Sequence, residues 1–309
     1  MPHQEHTATK IDPAIRARFW EAERSRLLER NAALAAEYAA KKTEIDLRRA
    51  TQEKILITCM DERNTHIEES LGFLPGEARV FASGGGKADL AAFVRVFGEL
   101  IVNARRAGAK VSVFLVPHEC SHDAALGCAA FGNDTEAQRQ FFTALKSDIL
   151  RAFPNVSAHV MAFCTTTHKL REIDCHEADA FLGQVQDANA EFDRRSEDTS
   201  HAGHGIYVGD AYRAWVPERN RYFRLSPLNP ALEGNITIAL TVMVHHSEVN
   251  LDETPAMLHI DYPRYADTEL AVAAREHIDR SIAPFVGRAD LHVVKTETDV
   301  ETWQGRMLT

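Results

Sequence analysis

Short, continuous apolar runs alternate along this chain with longer stretches of helical periodicity. Strands are predicted over 54–58, 78–82, 110–117 and 156–164, and helices over 87–107 and 135–152. Runs that stay apolar on both alternating faces belong to strands buried on both sides, as in a parallel sheet covered by helices. Each link between the first three strands is long enough for a parallel crossover. Residues 51–170 therefore read as an α/β core.

The segments on either side carry weaker patterns. Residues 12–50 hold no Gly and a single Pro, Pro13, which suits a first helical turn with Asp12 as a possible cap. Ile15, Phe19, Trp20, Leu27, Leu28, Leu34 and Tyr38 form an irregular apolar stripe. The pattern predicts an arm of two helices, lying either on its own domain or across a partner subunit. Beyond 170, a polar helical stretch is predicted over 172–196, then a loop at Ser200–Gly205. Strands are predicted at Ile206–Val208, Tyr222–Leu225, Ile236–Val244, Met257–Ile260 and Leu291–Lys295, and a helix over Thr268–Ile282. No internal repeat is visible. The expected class is α/β: a mainly parallel sheet flanked by helices, an N-terminal helical arm (1–50), and a domain over 51–309 whose core (51–170) is extended by 171–309.

Composition narrows the classes. In 309 residues, 45% are hydrophobic and 26% charged, ordinary for a globular chain. A formal net charge of −10 argues against a broad nucleic-acid or anionic-membrane surface. No apolar run reaches the length of a membrane span. The stretch MPHQEHTATK has no apolar core, so no secretory leader is expected there. Five Cys, an odd number, suggest thiols for metal or packing in a reducing compartment rather than a disulfide framework.

The chemistry gathers at two strand ends. The first strand runs into Cys59-Met60-Asp61-Glu62-Arg63, and alternation puts Cys59, Asp61 and Arg63 on one side. The third delivers His118, followed by Cys120, His122 and Cys128 in HECSHDAALGC. Ligands in open α/β sheets bind outside the carboxyl ends of strands. One His and two Cys with an open fourth position form a known class of catalytic zinc site. By spacing, either Cys120 or Cys128 could complete that set. The second strand ends in Ser83-Gly84-Gly85-Gly86, which permits close backbone approach but is no dinucleotide fingerprint. The gap between Cys59 and Arg63 is too short for a phosphate-wrapping loop. His201, His204, His245, His246 and His259 make a poor second metal set, because neighbours in a strand point oppositely. Cys164 and Cys175 read as plain buried or surface thiols.

With CxDxR at one strand end, a small-residue loop after the next, and His then Cys after the third, the chain resembles the β-class carbonic anhydrases over about 51–170. The strand and turn AHVMAFCTTTHKL strengthen the likeness. In most members only two residues separate His from the second Cys. The longer spacing here resembles the divergent branch found in carboxysome shells and favours Cys128. That branch carries a degenerate second copy of its catalytic domain, for which this chain has no obvious room.

The resemblance implies Zn2+ on Cys59, His118 and Cys128, Asp61 and Arg63 as the catalytic dyad, and Gly84 and Gly85 beside the substrate. It implies reversible hydration of CO2 to bicarbonate by a zinc-bound hydroxide. Two thiolates cancel the metal's formal charge, so activity should rise into alkaline pH, with His122 or His66 as candidate proton relays. Hydrolysis of CS2 or COS at the same centre, or a zinc-bearing but silent scaffold, are the alternatives. A homodimer or higher homo-oligomer is expected, without nucleic acid or membrane partners. The expected location is the cytoplasm, with residence in a bacterial microcompartment as the finer expectation.

Overall fold

The computed structural model describes residues 13–61, 64, 67–119, 128–164, 170–175, 205–216, 222–246 and 256–308. A first sheet is built from β1 (Gln52–Cys59), β2 (Ala78–Ser83), β3 (Lys110–Val116), the short β4 (His118–Glu119), β5 (Ser157–Cys164) and β6 (Leu170–Cys175). Its order is β2-β1-β3-β5-β4, with the β6 strand pairing antiparallel to β5 and the other pairs parallel. Within β1, every residue after Gln52 is buried, as expected of a central strand covered on both faces. Helices α3 (Leu90–Arg106) and α4 (Thr135–Ala152) cover one face, packing Phe93 and Phe142 in one cluster with Ile55 and Ile57 of β1. Asp89 and Asp134 cap them by accepting backbone N–H groups of the first turn. The short α2 (Ile67–Ser70) sits on the other face with Leu56 and Phe114.

A second sheet contains β7 (Gly205–Val208), β8 (Tyr222–Leu225), β9 (Ala256–Arg264), β10 (Leu291–Asp299) and β11 (Gly305–Met307). Its order is β11-β10-β9-β7-β8, parallel except for the β10–β11 hairpin. Here the strand order repeats although the residue pattern does not. In the first sheet β1 lies between β2 and β3, with β5 beyond. In the second, β7 lies between β8 and β9, with β10 beyond. Helices repeat as well: α5 (Tyr212–Trp215) follows β7 as α2 follows β1, α6 (Leu232–His246) follows β8 as α3 follows β2, and α7 (Thr268–Ile282) joins β9 to β10 as α4 joins β3 to β5. The units meet where β8 comes against β2. Ser226 N–H donates to the Ala82 carbonyl (3.0 Å), and Ser226 Oγ accepts from Ala82 N–H (2.9 Å).

The arm is one helix, α1 (Pro13–Thr51, 39 residues), not two, because no Gly or internal Pro interrupts it. Leu27, Asn31, Ala35, Tyr38 and Ile45 are buried at helical spacing, and they pack on Trp215 and Trp303 of the second unit. Tyr38 stacks on Trp303 with ring centroids 4.1 Å apart. Asn31 Nδ2 donates to the carbonyls of Ala214 (3.0 Å) and Trp303 (2.9 Å), and its Oδ1 accepts from Gly305 N–H (2.9 Å). The described part of the arm thus lies on its own chain.

Two expected elements differ. Ile236–Val244 is not a strand but the body of α6. Its β-branched run looks extended, yet Leu232, Ile236, Ala239, Leu240 and Met243 are buried at helical spacing, so tertiary packing overrides strand propensity. The polar stretch 172–196 begins as strand β6, held by pairing with β5; its remainder, the turn Thr165–His168 and residues 201–204 lie outside the described residues. Among the described residues no helix is long and apolar enough to cross a membrane.

Candidate metal centre

Cys59 is the last residue of β1, and the next turn is tightly fixed. Met60 N–H donates to the Ser83 carbonyl (2.8 Å), and the Met60 carbonyl accepts from Arg224 N–H of the second unit (3.1 Å). Asn64 Nδ2 donates to the Cys59 carbonyl (3.1 Å). His118 follows Pro117 and is held at the sheet because β4 pairs beside Phe163 and Cys164. Cys128 precedes a 3-10 turn (Ala129–Phe131). Its carbonyl accepts from Phe131 N–H (2.8 Å), and buried Gln138 of α4 reaches its N–H (3.5 Å).

These three segments bring Cys59, His118 and Cys128 together. One ligand atom from each lies within 4.8 Å of the others, and all three residues are buried. The two sulfurs are 3.7 Å apart. Two thiolates each about 2.3 Å from a tetrahedral zinc would stand about 3.8 Å apart, so the pair fits that ion. Backbone N–H groups of Asp61 and Ala130 reach the sulfurs of Cys59 and Cys128, respectively, and such bonds favour thiolate. His118 Nδ1 is buried without a hydrogen-bond partner among the described residues. The two thiols shift each other in opposite directions. Cys128 is pushed down to about 6, first by the hydrogen bond from Cys59; that same bond and burial drive Cys59 well above its ordinary value. The donor set therefore fits zinc.

Asp61 Oδ2 lies 3.8 Å from His118 Nε2, so its carboxylate borders the same space. The glycine run forms a 3-10 turn against both metal-binding segments. Gly85 and Gly86 have φ of +68°. A Cβ at Gly86 would lie 3.3 Å from Cys59 N, and one at Gly85 would lie 2.7 Å from Ala130 Cβ. Gly84 N–H donates to Asn235 Oδ1 of α6 (3.2 Å), and a Cβ there would meet that oxygen at 2.5 Å. Only glycine fits such a turn.

The cluster thus contains Cys59, His118 and Cys128 with Asp61 at its edge and the glycine turn packed against it. Arg63, Cys120, His66, His122, His201 and His204 lie outside the described residues. His259 is elsewhere, in the second unit, with Nε2 2.8 Å from Thr296 Oγ1; His245 and His246 end α6. Three contributors escaped the sequence reading. Asn64 follows CMDER and could have been suspected as a turn-former. Arg224 acts here through its backbone, and Asn235 sits in a run that reads as strand, so neither leaves a local signal.

No family model matches the chain, and no curated protein matches it. Among solved structures it is similar to the β-carbonic anhydrase isoform I of Trichomonas vaginalis, at 22% identity over 40% of this chain and 82% of that one, with a TM-score of 0.26. It is also similar to the β-carbonic anhydrase CafA of Aspergillus fumigatus, at 17% identity over 57% of this chain and 100% of that one, with a TM-score of 0.33. Likeness at that level assigns no residue a role.

Proposed function

We propose that this chain is a zinc-dependent carbonic anhydrase of the β type, interconverting CO2 and bicarbonate. The observation that carries this reading is the buried Cys59–His118–Cys128 cluster with the Asp61 carboxylate 3.8 Å from His118, outside the ends of parallel strands. Zinc held there would supply a Lewis acid that lets water ionise near neutral pH. With zinc bound, the Asp61 carboxylate would accept a hydrogen bond at the edge of the reacting space and orient the attacking oxygen. By the resemblance, Arg63 would hold the Asp61 carboxylate away from the metal position. The turn at Gly84–Gly86 packs directly against the segments that carry Cys59 and Cys128, where a Cβ at Gly85 or Gly86 would clash with Ala130 or Phe142. Cys59, Met60 and Cys128 share an apolar cluster with Ile236, Ala239 and Met243 of α6, a surface suited to a small nonpolar substrate. Within this reading, the ten-residue step from His118 to Cys128 supports the carboxysome-shell branch, and microcompartment residence belongs to the same proposal. The second unit borders the site within one chain; the homo-oligomer is a separate claim that light scattering of the full chain tests.

The deciding experiment pairs metal analysis with stopped-flow CO2 hydration. One zinc per chain with rapid hydration is expected. A zinc-loaded protein that hydrolyses COS or CS2 but leaves CO2 untouched, or does neither, would overturn the proposal. Cys128→Ser should lose zinc; if it keeps the metal and Cys120→Ser loses it, Cys128 is not the third ligand.

A further inference from the structure

Strand register matches the two units residue by residue. Met60 N–H donates to the carbonyl of Ser83 at the end of β2, and Gly209 N–H donates to that of Leu225 at the end of β8. Cys59 therefore corresponds to Val208, and Asp61 to Asp210. A doubly wound sheet opens a cleft where strands leaving in opposite directions diverge. In the first unit that point, after β1 and β3, is the candidate metal centre. In the second it lies after β7 and β9, and there the structure has a cavity of about 220 Å³. Asp210 follows β7 and Tyr265 follows β9, and both line it. Its far wall is α3 of the first unit, through Val96 and Leu100, just as α6 of the second unit borders the metal centre.

The polar groups in this cavity leave one guanidinium edge unused. Arg224 is fixed through Nη1 to Glu68 Oε2 (2.9 Å), while no hydrogen bond joins its Nε or Nη2 to the protein among the described residues. Three carboxylates line the same space, and each has a partner: Glu68 has Arg213 and Arg224, Glu301 has Arg79, and Asp210 accepts the Tyr265 hydroxyl. A guanidinium edge with two parallel N–H groups matches a carboxylate. The apolar α3 wall matches a hydrocarbon body. No cysteine or histidine lines the cavity, so it lacks the soft donors of the metal centre.

We propose that this cavity is a second ligand site, taking a small carboxylate with an apolar body. The carboxylate sits on the Nε and Nη2 edge of Arg224 and the body on Val96 and Leu100. Site and proposed activity are independent, because binding is read without turnover.

The test uses isothermal titration of the zinc-loaded full chain with benzoate, and with benzamide as the uncharged match. Benzoate should bind one per chain, and benzamide at least about tenfold more weakly. Arg224→Gln removes the guanidinium, and Leu100→Trp fills the cavity without touching the ion pairs. Each should weaken benzoate by about tenfold or more. If Arg224→Gln fails to fold, Leu100→Trp and the benzamide comparison decide alone. No binding of benzoate, equal binding of benzamide, or unchanged affinity in folded Leu100→Trp overturns the proposal. Benzoate held at the metal centre instead would survive Leu100→Trp and vanish in Cys59→Ser, and that pattern also overturns it.

Discussion

The two units of this chain share one strand order and have diverged in what stands at the strand ends. Where the first unit has Cys59, the second has Val208, buried in an apolar cluster. Thr58 pairs with Val116 and Tyr207 with His259, so His118 corresponds to Asp261. Asp261 is fully buried; it accepts hydroxyls from Tyr207 (2.6 Å), Thr296 (2.7 Å) and Thr298 (2.6 Å). The segments after these positions differ too. Ten residues lead from His118 to Cys128, whereas α7 begins seven residues after Asp261 and the link holds no Cys. Topology thus supplies a cleft in both units, and side chains decide what it becomes. One cleft gathers soft metal donors. At the position matching His118, the other unit ties a carboxylate into a closed hydroxyl network that stabilises the sheet.

Substitutions at matched positions probe this contrast, the largest effect first. Cys59→Ser should strip zinc and reduce hydration to the uncatalysed level, while Val208→Cys should leave zinc at one per chain; a second equivalent bound in Val208→Cys would break the contrast. Next, Asp61→Asn should keep zinc by metal analysis and lose hydration by about 100-fold or more. A parent rate in that variant would reduce Asp61 to a surface carboxylate. Asp261→Ala should lower unfolding stability by about 3 kcal/mol or more, since three buried hydroxyls lose their acceptor, without changing zinc content. Urea titration with parallel metal analysis measures both.

Acid stability gives a subtler test. Burial holds His259 down at about 3, so the folded form keeps it neutral while the unfolded chain protonates it near 6.5. Its contribution is full above pH 6.5 and is lost as pH falls toward 3. Burial pushes Asp210 and Asp261 up to about 6, which acts oppositely: their stabilising effect is present below pH 3.8 and lost as pH rises through 6. His259→Gln should therefore lose less stability than the parent between pH 6.5 and 4, by a few kcal/mol at about 1.4 kcal/mol per unit. Equal slopes would mean that His259 is not held neutral. The smallest effect is expected for Asn235→Ala. Loss of its bond to Gly84 should cost about 1 kcal/mol and slightly weaken zinc binding, as read by competition with a chelator.

The first unit was largely legible in sequence. Its strands are buried on both faces, so their apolar runs stand out, and its chemistry follows directly from their ends: Cys59 after β1, His118 after β3. The helix Thr268–Ile282 was legible for another reason, because Asp267 caps a clean amphipathic turn. The repeat was not. Once Cys59 becomes Val208 and His118 becomes Asp261, the second unit keeps hydrogen-bonding geometry that leaves no residue signature. Helix α6 misled because β-branched residues favour strands on average, and only its packing against β8 and α7 fixes the helix. Cross-unit contributors such as Asn235, 151 positions from Gly84, lie beyond any local pattern.

The contacts of Asn31 have a consequence for synthesis. Its partners Trp303 and Gly305 follow it by 272 and 274 positions. At about 5–20 residues per second, a ribosome takes on the order of tens of seconds to make that interval. Throughout, Leu27, Tyr38 and Ile45 have no completed surface to cover them, although α1 has the length to coil as soon as it emerges. A helix whose Asn31 precedes its partners by 272 and 274 positions is therefore among the last to dock, and the nascent chain carries an open apolar stripe that a holding chaperone would recognise.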